Sequence, residues 1–306
     1  MFGLTTHAPG ATRLKADLSL LLAALIWGVA FVAQRVAAEN TPVFLFNGVR
    51  FLLGALVLLP FARMGDRRPR GTFPARNALP GILLAGLLLF GAGTFQQLGL
   101  RYTTAGNAGF VTGLYVVLVP LFLVLGGKQR LRRSLWIAAM LAVLGLYLLS
   151  TGGRLRLALG DALELVGAVL FAFHVIWISK IVQQVHVLPL AIGQYLVTAL
   201  LSLSIGLLTE SGLIAVITTA WIPILYTGIF SIGLGYTLQA FGQRIAPPAD
   251  ATILLSMEAP LAAFFGWLIL GEKLIAVQLA GCALMLAGML LAQIPLIRDR
   301  SRNQVE

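Results

Sequence analysis

The chain is a succession of apolar segments about twenty residues long, and most of its charged residues lie in the short gaps between them. Hydrophobic residues make up 59% of the sequence and charged residues only 11%. A soluble domain carries about 45–50% apolar and about 25% charged residues. A hydrocarbon core about 30 Å thick needs about 20 apolar residues in each helix that crosses it. The pattern therefore predicts a polytopic membrane protein.

Ten segments are long and apolar enough to cross a membrane as helices, and we number them spans one to ten. The predicted spans are 17–37, 42–62, 78–100, 103–125, 132–150, 159–180, 187–208, 217–240, 249–270 and 275–296. Continuous apolar runs favour helices, because the strands of a β-barrel alternate in polarity. The sequence thus predicts an all-α integral membrane protein with ten transmembrane helices. Spans three and four nearly touch, which leaves one long hairpin as an alternative.

The net charge of +11 is distributed unevenly along the chain. Arginine and lysine are concentrated before span one, in the gaps after spans two and four, and after span ten. With ten spans, all of these segments lie on the same side of the membrane. The positive-inside rule then places both termini in the cytoplasm and the protein in the cell inner membrane. We interpret these residues as topology anchors in the lipid bilayer and not as a nucleic-acid surface.

The two halves of the chain resemble each other at a nearly constant offset of 143 or 144 residues. The matching pairs are Arg50 with Gln194, Arg101 with Arg244, Gly145 with Gly288, and segment 24–28 with segment 168–172. Agreement over five spans indicates an internal repeat. Because each half holds an odd number of spans, the second half enters the membrane from the opposite side. Such inverted-topology repeats place a substrate cavity near the membrane midplane, between the halves.

The domain organisation follows from this repeat. We predict two five-helix repeats, 17–150 and 159–296, with short cytoplasmic segments at 1–16 and 297–306. Spans five and ten carry few polar residues. They are therefore predicted to be peripheral, where they could hold together a homodimer.

Several classes of function are disfavoured by what the sequence lacks. The phosphate-binding pattern Gly-x-x-x-x-Gly-Lys-Ser/Thr is absent, which disfavours an ATP-driven pump. Cys282 is the only cysteine, so no cysteine-based metal site is indicated. A membrane-embedded enzyme would need clustered histidines or acids, whereas His174 is the only histidine inside a span. We predict no enzymatic activity, no cofactor and no metal.

Motifs in both halves carry a family resemblance. They are 24–31 in span one, 49–53 in span two, 104–115 in span four, 256–260 in span nine and 270–273 just after it. Over about residues 17–296, the chain resembles the EamA-type ten-helix branch of the drug/metabolite transporter superfamily. It departs from the family pattern after span four, where Gly126-Gly127-Lys128 replaces the usual Gly-Glu pair.

The resemblance implies a secondary transporter that exports a small molecule, such as an amino acid, another metabolite or a drug. Alternating access, with the two halves rocking around one central site, is the expected mechanism. Import is an alternative, because some members of the family import their substrates. A passive channel for small solutes is a second alternative that the sequence leaves open.

Ionisable side chains inside a span need a reason, because each costs about 2.5–3.5 kcal/mol on insertion scales. Arg50 lies about 12 Å into span two, where it could hold a substrate carboxylate or pair within the protein. Glu258, near the middle of span nine, and His174, in span six, are candidates for proton coupling. Alternatively, Glu258 bonds backbone groups freed by Pro260, and His174 is an ordinary hydrogen-bonded interior residue.

Other aromatic and amide side chains are candidates for substrate binding, since a buried amide needs polar partners and aromatic rings suit amphipathic substrates. With Arg50 and His174, this set comprises Trp27, Asn47, Gln96, Asn107, Tyr115, Phe171, Trp177, Gln194, Tyr195, Tyr236 and Gln239. Packing is the alternative role of each aromatic residue. Pro120 and Pro260 are candidate hinges within spans four and nine.

Three acids lie at predicted helix starts, where a negative charge is favoured. They are Asp161, Glu164 and Asp250. We interpret all three as structural.

Overall fold

The computed structural model describes residues 10–64, 78–127 and 158–302, together with residues 137, 140–141, 143–145 and 147–149 of span five. Every regular element within these residues is helical. Eight helices among them are long and apolar enough to cross a membrane. They are Thr12–Asn40, Val43–Ala62, Leu79–Gly99, Ala105–Leu125, Leu159–Ile181, Val187–Thr209, Trp221–Gln243 and Pro248–Leu270. These helices confirm spans one to four and six to nine.

The two remaining spans are described in part. Span ten contains a shorter apolar helix, Ala276–Gly288, which continues as helix to Arg302. Most of span five lies outside the described residues, and those of its residues that are described are helical. The two predicted peripheral spans contact each other, because Gly145 packs against Gly281 and Met285. Their role in a homodimer stays a prediction.

The structure confirms the separation of spans three and four and shifts the start of span eight. Spans three and four are separate helices, because Thr104 caps the second one by accepting a hydrogen bond from the Asn107 backbone N–H at 3.1 Å. Span eight begins at Trp221 and not at residue 217. The preceding residues form a separate short helix, Leu213–Thr219, whose N-cap residue Gly212 has a left-handed conformation with φ 84°.

Spans four and nine are both broken near their middle. Span four consists of Ala105–Thr112, which we call span 4a, and Tyr115–Leu125, span 4b. Span nine consists of Pro248–Leu255, span 9a, and Glu258–Leu270, span 9b. The breaks fall at 113–114 and 256–257, the same 143 residues apart as the repeat. The discontinuity is therefore a property of the repeat.

The two breaks have different local causes. Pro260 has no N–H to bond the Ser256 carbonyl four residues earlier, and that oxygen accepts instead from the Ala259 N–H at 3.1 Å. In span four the turn tightens without a proline: the Val116 N–H bonds Gly113 O at 3.1 Å. The helix then runs on through Pro120.

The helices pack in an order that a two-fold relation between the halves would produce. Spans two and seven pack against each other. Span three packs against spans six and seven, and span eight packs against spans one and two in the corresponding way. The arrangement confirms the two-repeat helical membrane fold and leaves a space where spans one to four, six, eight and nine meet.

Span 4a, span 9b and span one approach each other closely. We call the membrane face at which span one begins the N-terminal face, and these three segments meet toward the opposite face. A Cβ atom at Gly28 would lie 2.5 Å from Leu261 Cβ, and a Cβ at Gly109 would collide with Ala262. Only glycine permits this approach. The segments therefore seal the opposite face more tightly than larger residues would allow.

Glu272 fastens the start of span 4a. Its two carboxylate oxygens accept hydrogen bonds from the Ala105 N–H at 2.7 Å and the Gly106 N–H at 3.0 Å. The first N–H groups of a helix have no partner within it, and a negative charge is favoured at that end. Glu272 thus ties the end of span nine to the beginning of span four.

Replacing Glu272 with alanine is expected to lower the free energy of unfolding by about 1–2 kcal/mol, because two helix N–H groups lose their acceptor. Thermal unfolding of the purified protein in detergent measures the effect. Glu39→Ala is the control, since Glu39 is 54% exposed and only pairs with Arg35 along the same helix. Equal losses of stability in the two variants would contradict this role of Glu272.

Candidate functional site

A cavity lies at the centre of the helix arrangement, at the level of the two helix breaks. Its volume is about 40 Å³, counted as the space open to the centres of water-sized molecules. Spans one, two, three, four, six, eight and nine all contribute side chains. The lining comprises Trp27, Phe31, Gln34, Arg50, Phe51, Gln96, Thr112, Tyr115, Phe171, Val175, Ser231, Ile232, Tyr236, Gln239, Leu255 and Glu258.

Arg50 brings a buried positive charge to this cavity. Its side chain is only 3% exposed, and its guanidinium carbon lies 5.1 Å and 5.4 Å from the ring centres of Phe46 and Phe51. Among the described residues no carboxylate forms an ion pair with Arg50, and its Nε atom has no hydrogen-bond partner. The aromatic rings stabilise the cation while leaving it able to bind an anion.

Glu258 brings a carboxyl group to the same cavity. It is 3% exposed and is the first residue of span 9b, where the helix dipole favours a negative charge. The Tyr115 hydroxyl interacts with it electrostatically. The two groups are close enough for a side-chain hydrogen bond between them, and within the described part of the chain neither that hydroxyl nor Glu258 Oε1 has any other hydrogen-bond partner. Both polar atoms are therefore available to a ligand.

Tyr236 connects the two charged groups. Its hydroxyl is within electrostatic range of both Arg50 and Glu258. Its ring packs against Trp27 at a centroid distance of 4.7 Å and against the edge of His174 at 6.0 Å. The cavity thus combines one cation and one carboxyl group with an aromatic wall.

The wall contributed by span eight is a π-helix, Tyr226–Tyr236. π-helical turns are rare and often occur at functional sites. The Trp27 indole N–H donates to the Ser231 carbonyl at 3.1 Å. Gly235 makes this contact possible, because a Cβ there would lie 2.5 Å from Trp27 Nε1. The widened turn therefore holds Trp27 in its place on the cavity wall.

Eight of the residues predicted from the sequence line the central cavity. They are Trp27, Arg50, Gln96, Tyr115, Phe171, Tyr236, Gln239 and Glu258. Gln96 and Gln239 are 143 residues apart and so occupy equivalent positions in the two repeats.

Three of the other predicted residues form a layer behind the cavity wall. His174 Nε2 and Gln194 Oε1 are hydrogen-bonded at 2.8 Å. The Tyr195 hydroxyl is 3.2 Å from Thr237 Oγ1, and the Tyr195 ring lies 6.4 Å from that of Tyr236. The structure therefore places these residues so that they support Tyr236 from outside the cavity.

The last three predicted residues lie elsewhere. The Trp177 indole N–H donates to the Gly81 carbonyl at 2.8 Å, and Asn47 Nδ2 donates to the Gly93 carbonyl at 3.2 Å. Asn107 lines a second cavity at the opposite face. Trp177 and Asn47 thus form hydrogen bonds with backbone carbonyl groups, and Asn107 lies at the second cavity; none of the three lines the central cavity.

Some lining residues were not predicted from the sequence. They are Phe31, Gln34, Phe51, Thr112, Val175, Ser231, Ile232 and Leu255. A helical spacing would have found two of them, because Phe31 and Gln34 lie four and seven residues after Trp27 on the same face. Thr112 and Ser231 carry no comparable signal, since hydroxyl side chains are common in transmembrane helices.

The second cavity is lined by Arg35, Arg101, Tyr102, Thr103, Thr104, Asn107, Ala158 and Asp161. The Thr103 hydroxyl donates to Asp161 Oδ1 at 2.6 Å, and Asp161 is only 1% exposed. Glu164, one turn further along span six, is fully buried and accepts a hydrogen bond from the Thr112 hydroxyl at 3.1 Å. Among the described residues no group of three His, Cys, Asp or Glu side chains could hold a metal ion.

Known proteins resemble this chain over nearly its whole length. A sequence profile described as the EamA-like transporter family matches residues 14–151 and 158–293, one match for each half. An uncharacterised transporter of Archaeoglobus fulgidus is 33% identical over 287 residues, covering 94% of this chain and 88% of that protein. The uncharacterised inner membrane transporter YedA of Escherichia coli K12 is 23% identical, covering 83% of this chain and 82% of that protein.

Two further relatives bear on function and fold. A protein of Salmonella typhimurium named as a probable amino-acid metabolite efflux pump is 28% identical, covering 88% of this chain and 91% of that protein. A solved crystal structure covers 94% of this chain and 99% of its own, with a TM-score of 0.68 at 21% identity. At that identity the likeness supports the fold alone.

The resemblance noted in the sequence is thereby confirmed. The profile covers both repeats, and the Archaeoglobus relative covers nearly the whole chain at more than 30% identity. The apolar helices and the inner-membrane relatives make this a multi-pass inner-membrane protein. The chain belongs to the EamA-like transporter family.

Proposed function

We propose that this transporter exports small zwitterionic metabolites, in particular amino acids with apolar side chains. The observation that carries the proposal is the presence of Arg50 and Glu258, two groups of opposite charge, in one cavity whose lining also includes six aromatic side chains. An α-amino acid carries a carboxylate and an ammonium group on one carbon, and each matches one of these residues.

The guanidinium of Arg50 suits a carboxylate, because its planar fork can donate two parallel hydrogen bonds. The carboxyl group of Glu258, with the Tyr115 hydroxyl beside it, suits an ammonium group. Charge-assisted hydrogen bonds contribute about 1.5–3 kcal/mol each. Together they would offset the desolvation of a zwitterion that leaves water.

The apolar part of the remaining wall suits an apolar side chain. Phe31, Phe51 and Phe171 line the cavity together with Val175 and Leu255. Burial of apolar surface contributes about 25 cal/mol per Å². Leucine or phenylalanine would thus be preferred over amino acids with charged side chains.

Topology and relatedness support the proposed direction of transport. We propose that the N-terminal face is cytoplasmic, because the basic gaps and tail lie on that side. The relative named as a probable amino-acid metabolite efflux pump supports export. Broken spans four and nine, at equivalent positions in inverted repeats, support alternating access around the central cavity.

Counterflow in proteoliposomes tests this function. Vesicles with purified protein are preloaded with an excess of unlabelled compound, and the labelled compound is added outside. Leucine and phenylalanine are compared with 4-methylpentanoate and isoamylamine, which lack the amino group and the carboxylate of leucine respectively. We expect saturable counterflow of leucine and phenylalanine, and half-saturation at least about tenfold higher for the two leucine fragments, since each loses one charge-assisted contact.

Three outcomes would contradict the proposal. Equal transport of leucine and its fragments would exclude recognition of the zwitterion. Flux that neither saturates nor shows counterflow would indicate a channel. In vesicles with sorted protein orientation and an acidic compartment on the side opposite the N-terminal face, accumulation of leucine on the side of the N-terminal face would indicate import.

A further inference from the structure

We propose that Asp161 and Glu164 carry protons between the second cavity and the central cavity, and so couple transport to a proton gradient. The inference rests on the proposed function, because the protons reach the cavity assigned to the substrate. Both acids lie at the start of span six, where the sequence alone suggested a structural role.

Glu164 is the central element of this path. Its side chain is fully buried, and its Oε2 atom accepts the hydrogen bond from Thr112. Its Oε1 atom has no hydrogen-bond partner within the described part of the chain. A Cβ at Gly99 would lie 2.9 Å from this atom, so only glycine in span three leaves room for the carboxyl group.

The inner end of the path is the central cavity. Thr112 and Gln96 both line that cavity, and Gln96 Nε2 lies 3.5 Å from Thr112 Oγ1. Glu258 faces the same cavity and is within electrostatic range of Glu164. Among the described residues, Thr112 is the one cavity-lining residue that forms a hydrogen bond with the Glu164 carboxyl group. Its hydroxyl therefore connects Glu164 to the central cavity.

The outer end of the path is the second cavity. Asp161 precedes Glu164 by three residues, which places both on one face of the helix, and the two carboxyl groups interact electrostatically. Asp161 lines the second cavity together with Thr103. The positively charged Arg35 and Arg101 line it as well. A proton from the opposite face thus meets Asp161 before it meets Glu164.

The charged surroundings of Glu164 suit a group that exchanges a proton. Asp161 on its own helix and Glu258 on span nine are the acids within interaction range. Span three contributes Gly99, and span four contributes Thr112. None of the ion pairs among the described residues involves Glu164. Hence no cation in the described structure fixes Glu164 in the charged form.

Each transfer conserves protons. Asp161 takes a proton from the second cavity and passes it to Glu164. Glu164 protonates the Thr112 oxygen while the Thr112 hydroxyl releases its own proton into the central cavity, where Glu258 accepts it. Thr112 ends unchanged, and Glu164 is again ready to accept a proton from Asp161. An ammonium group that binds Glu258 displaces this proton, which links the two fluxes.

Leucine transport by Glu164→Gln distinguishes coupling to protons from leucine–leucine exchange. Glutamine keeps the size of the side chain and an acceptor for Thr112, but it cannot ionise. With [¹⁴C]leucine, we expect counterflow at equal pH to stay within about twofold of the unmodified protein. A lower pH on the side of the second cavity should make the unmodified protein accumulate leucine there, by up to about tenfold per pH unit if one proton exchanges per leucine. Glu164→Gln should not accumulate leucine.

Glu210→Gln is the matched control. Glu210 accepts hydrogen bonds from the backbone N–H groups of Phe44 and Leu45 and lies outside both cavities. The same chemical change there should leave pH-driven accumulation intact. Glu164→Asp, which keeps an ionisable group, should recover part of the accumulation. If Glu164 had only a structural role, Glu164→Gln, which keeps the size of the side chain, should accumulate leucine at least as well as Glu164→Asp.

The outcomes distinguish this inference from the proposed function. If the unmodified protein shows no leucine counterflow, the proposed function fails for leucine. If it shows counterflow but no accumulation on the acid side, or if Glu164→Gln accumulates leucine normally, the proton path is wrong.

A second measurement uses only the unmodified protein and no substrate, so it tests the proposal even if the Glu164 variants do not fold. Dicyclohexylcarbodiimide modifies protonated carboxyl groups in apolar surroundings, and mass spectrometry locates the modified residue. We expect labelling of Glu164 in the unmodified protein that declines as the pH is raised. Absence of label at Glu164 over the whole pH range would overturn the proposal.

Discussion

Replacing Arg50 with glutamine is expected to raise the half-saturation concentration for leucine counterflow by about 10- to 100-fold. The reason is that a carboxylate in the cavity would lose a charge-assisted, two-pronged hydrogen bond, which contributes about 1.5–3 kcal/mol. Arg50→Lys should give an intermediate value, because lysine restores the charge but not the planar fork. The half-saturation concentration is measured from initial rates in proteoliposomes.

The leucine fragments provide the control for Arg50. The transport of isoamylamine, which has no carboxylate, should be nearly unchanged in Arg50→Gln, whereas that of 4-methylpentanoate should be almost lost. Equal weakening of the two fragments would mean that Arg50 acts through packing against Phe46 and Phe51, and the proposed carboxylate contact would then be wrong.

Glu258→Gln is expected to produce the mirror-image result. Isoamylamine and leucine should bind about 10- to 100-fold more weakly, because their ammonium group loses a charged partner. Transport of 4-methylpentanoate should be little affected or slightly improved, since a negative charge leaves the cavity. The same initial-rate measurements with the three compounds detect this difference.

The two substitutions together give a further check. If Arg50 and Glu258 contact separate groups of leucine, their effects on the binding free energy should be nearly additive in the double variant. A double variant no weaker than either single variant would show that both substitutions disturb one shared structure. In that case the cavity would not recognise the two charges of the zwitterion separately.

The architecture was largely predictable from the sequence because a bilayer imposes its own thickness on each helix. Continuous apolar runs located eight of the described helices, and the offset of 143 or 144 residues related the two halves of the chain. Local structure was harder to predict. The break in span four precedes Pro120, since it arises from the tightened turn at Gly113, for which the sequence offers only a glycine.

The central cavity was predictable only in part, because depth in a span does not determine which way a side chain points. Trp177 is an example: it follows Phe171 by six residues, which places it on the other side of the helix from the cavity. Val175, four residues after Phe171, lies on the cavity side. Applying helical spacing to each aromatic residue would have removed Trp177 and added Val175.

Glu164 shows the other limit of the sequence. An acid near a helix start is ordinarily favoured by the helix dipole alone, and nothing nearby in the chain suggests another role. Its partner Thr112 is 52 residues away, and its link to the cavity exists only once spans three, four and six are packed together. Contacts between distant segments of this kind require the folded structure.

The glycines at the crossing of spans one, 4a and 9b also make the two membrane faces unequal. Ala172 and Thr252 occupy the positions in the second repeat that correspond to Gly28 and Gly109, and the corresponding helices, spans 9a and 4b, pack less extensively. A difference of only about 1.4 kcal/mol between the two closed arrangements would populate one of them tenfold over the other. If the tighter crossing favours closure of the opposite face, an empty carrier would be accessible mostly from the N-terminal face, the side from which the proposed exporter takes up its substrate.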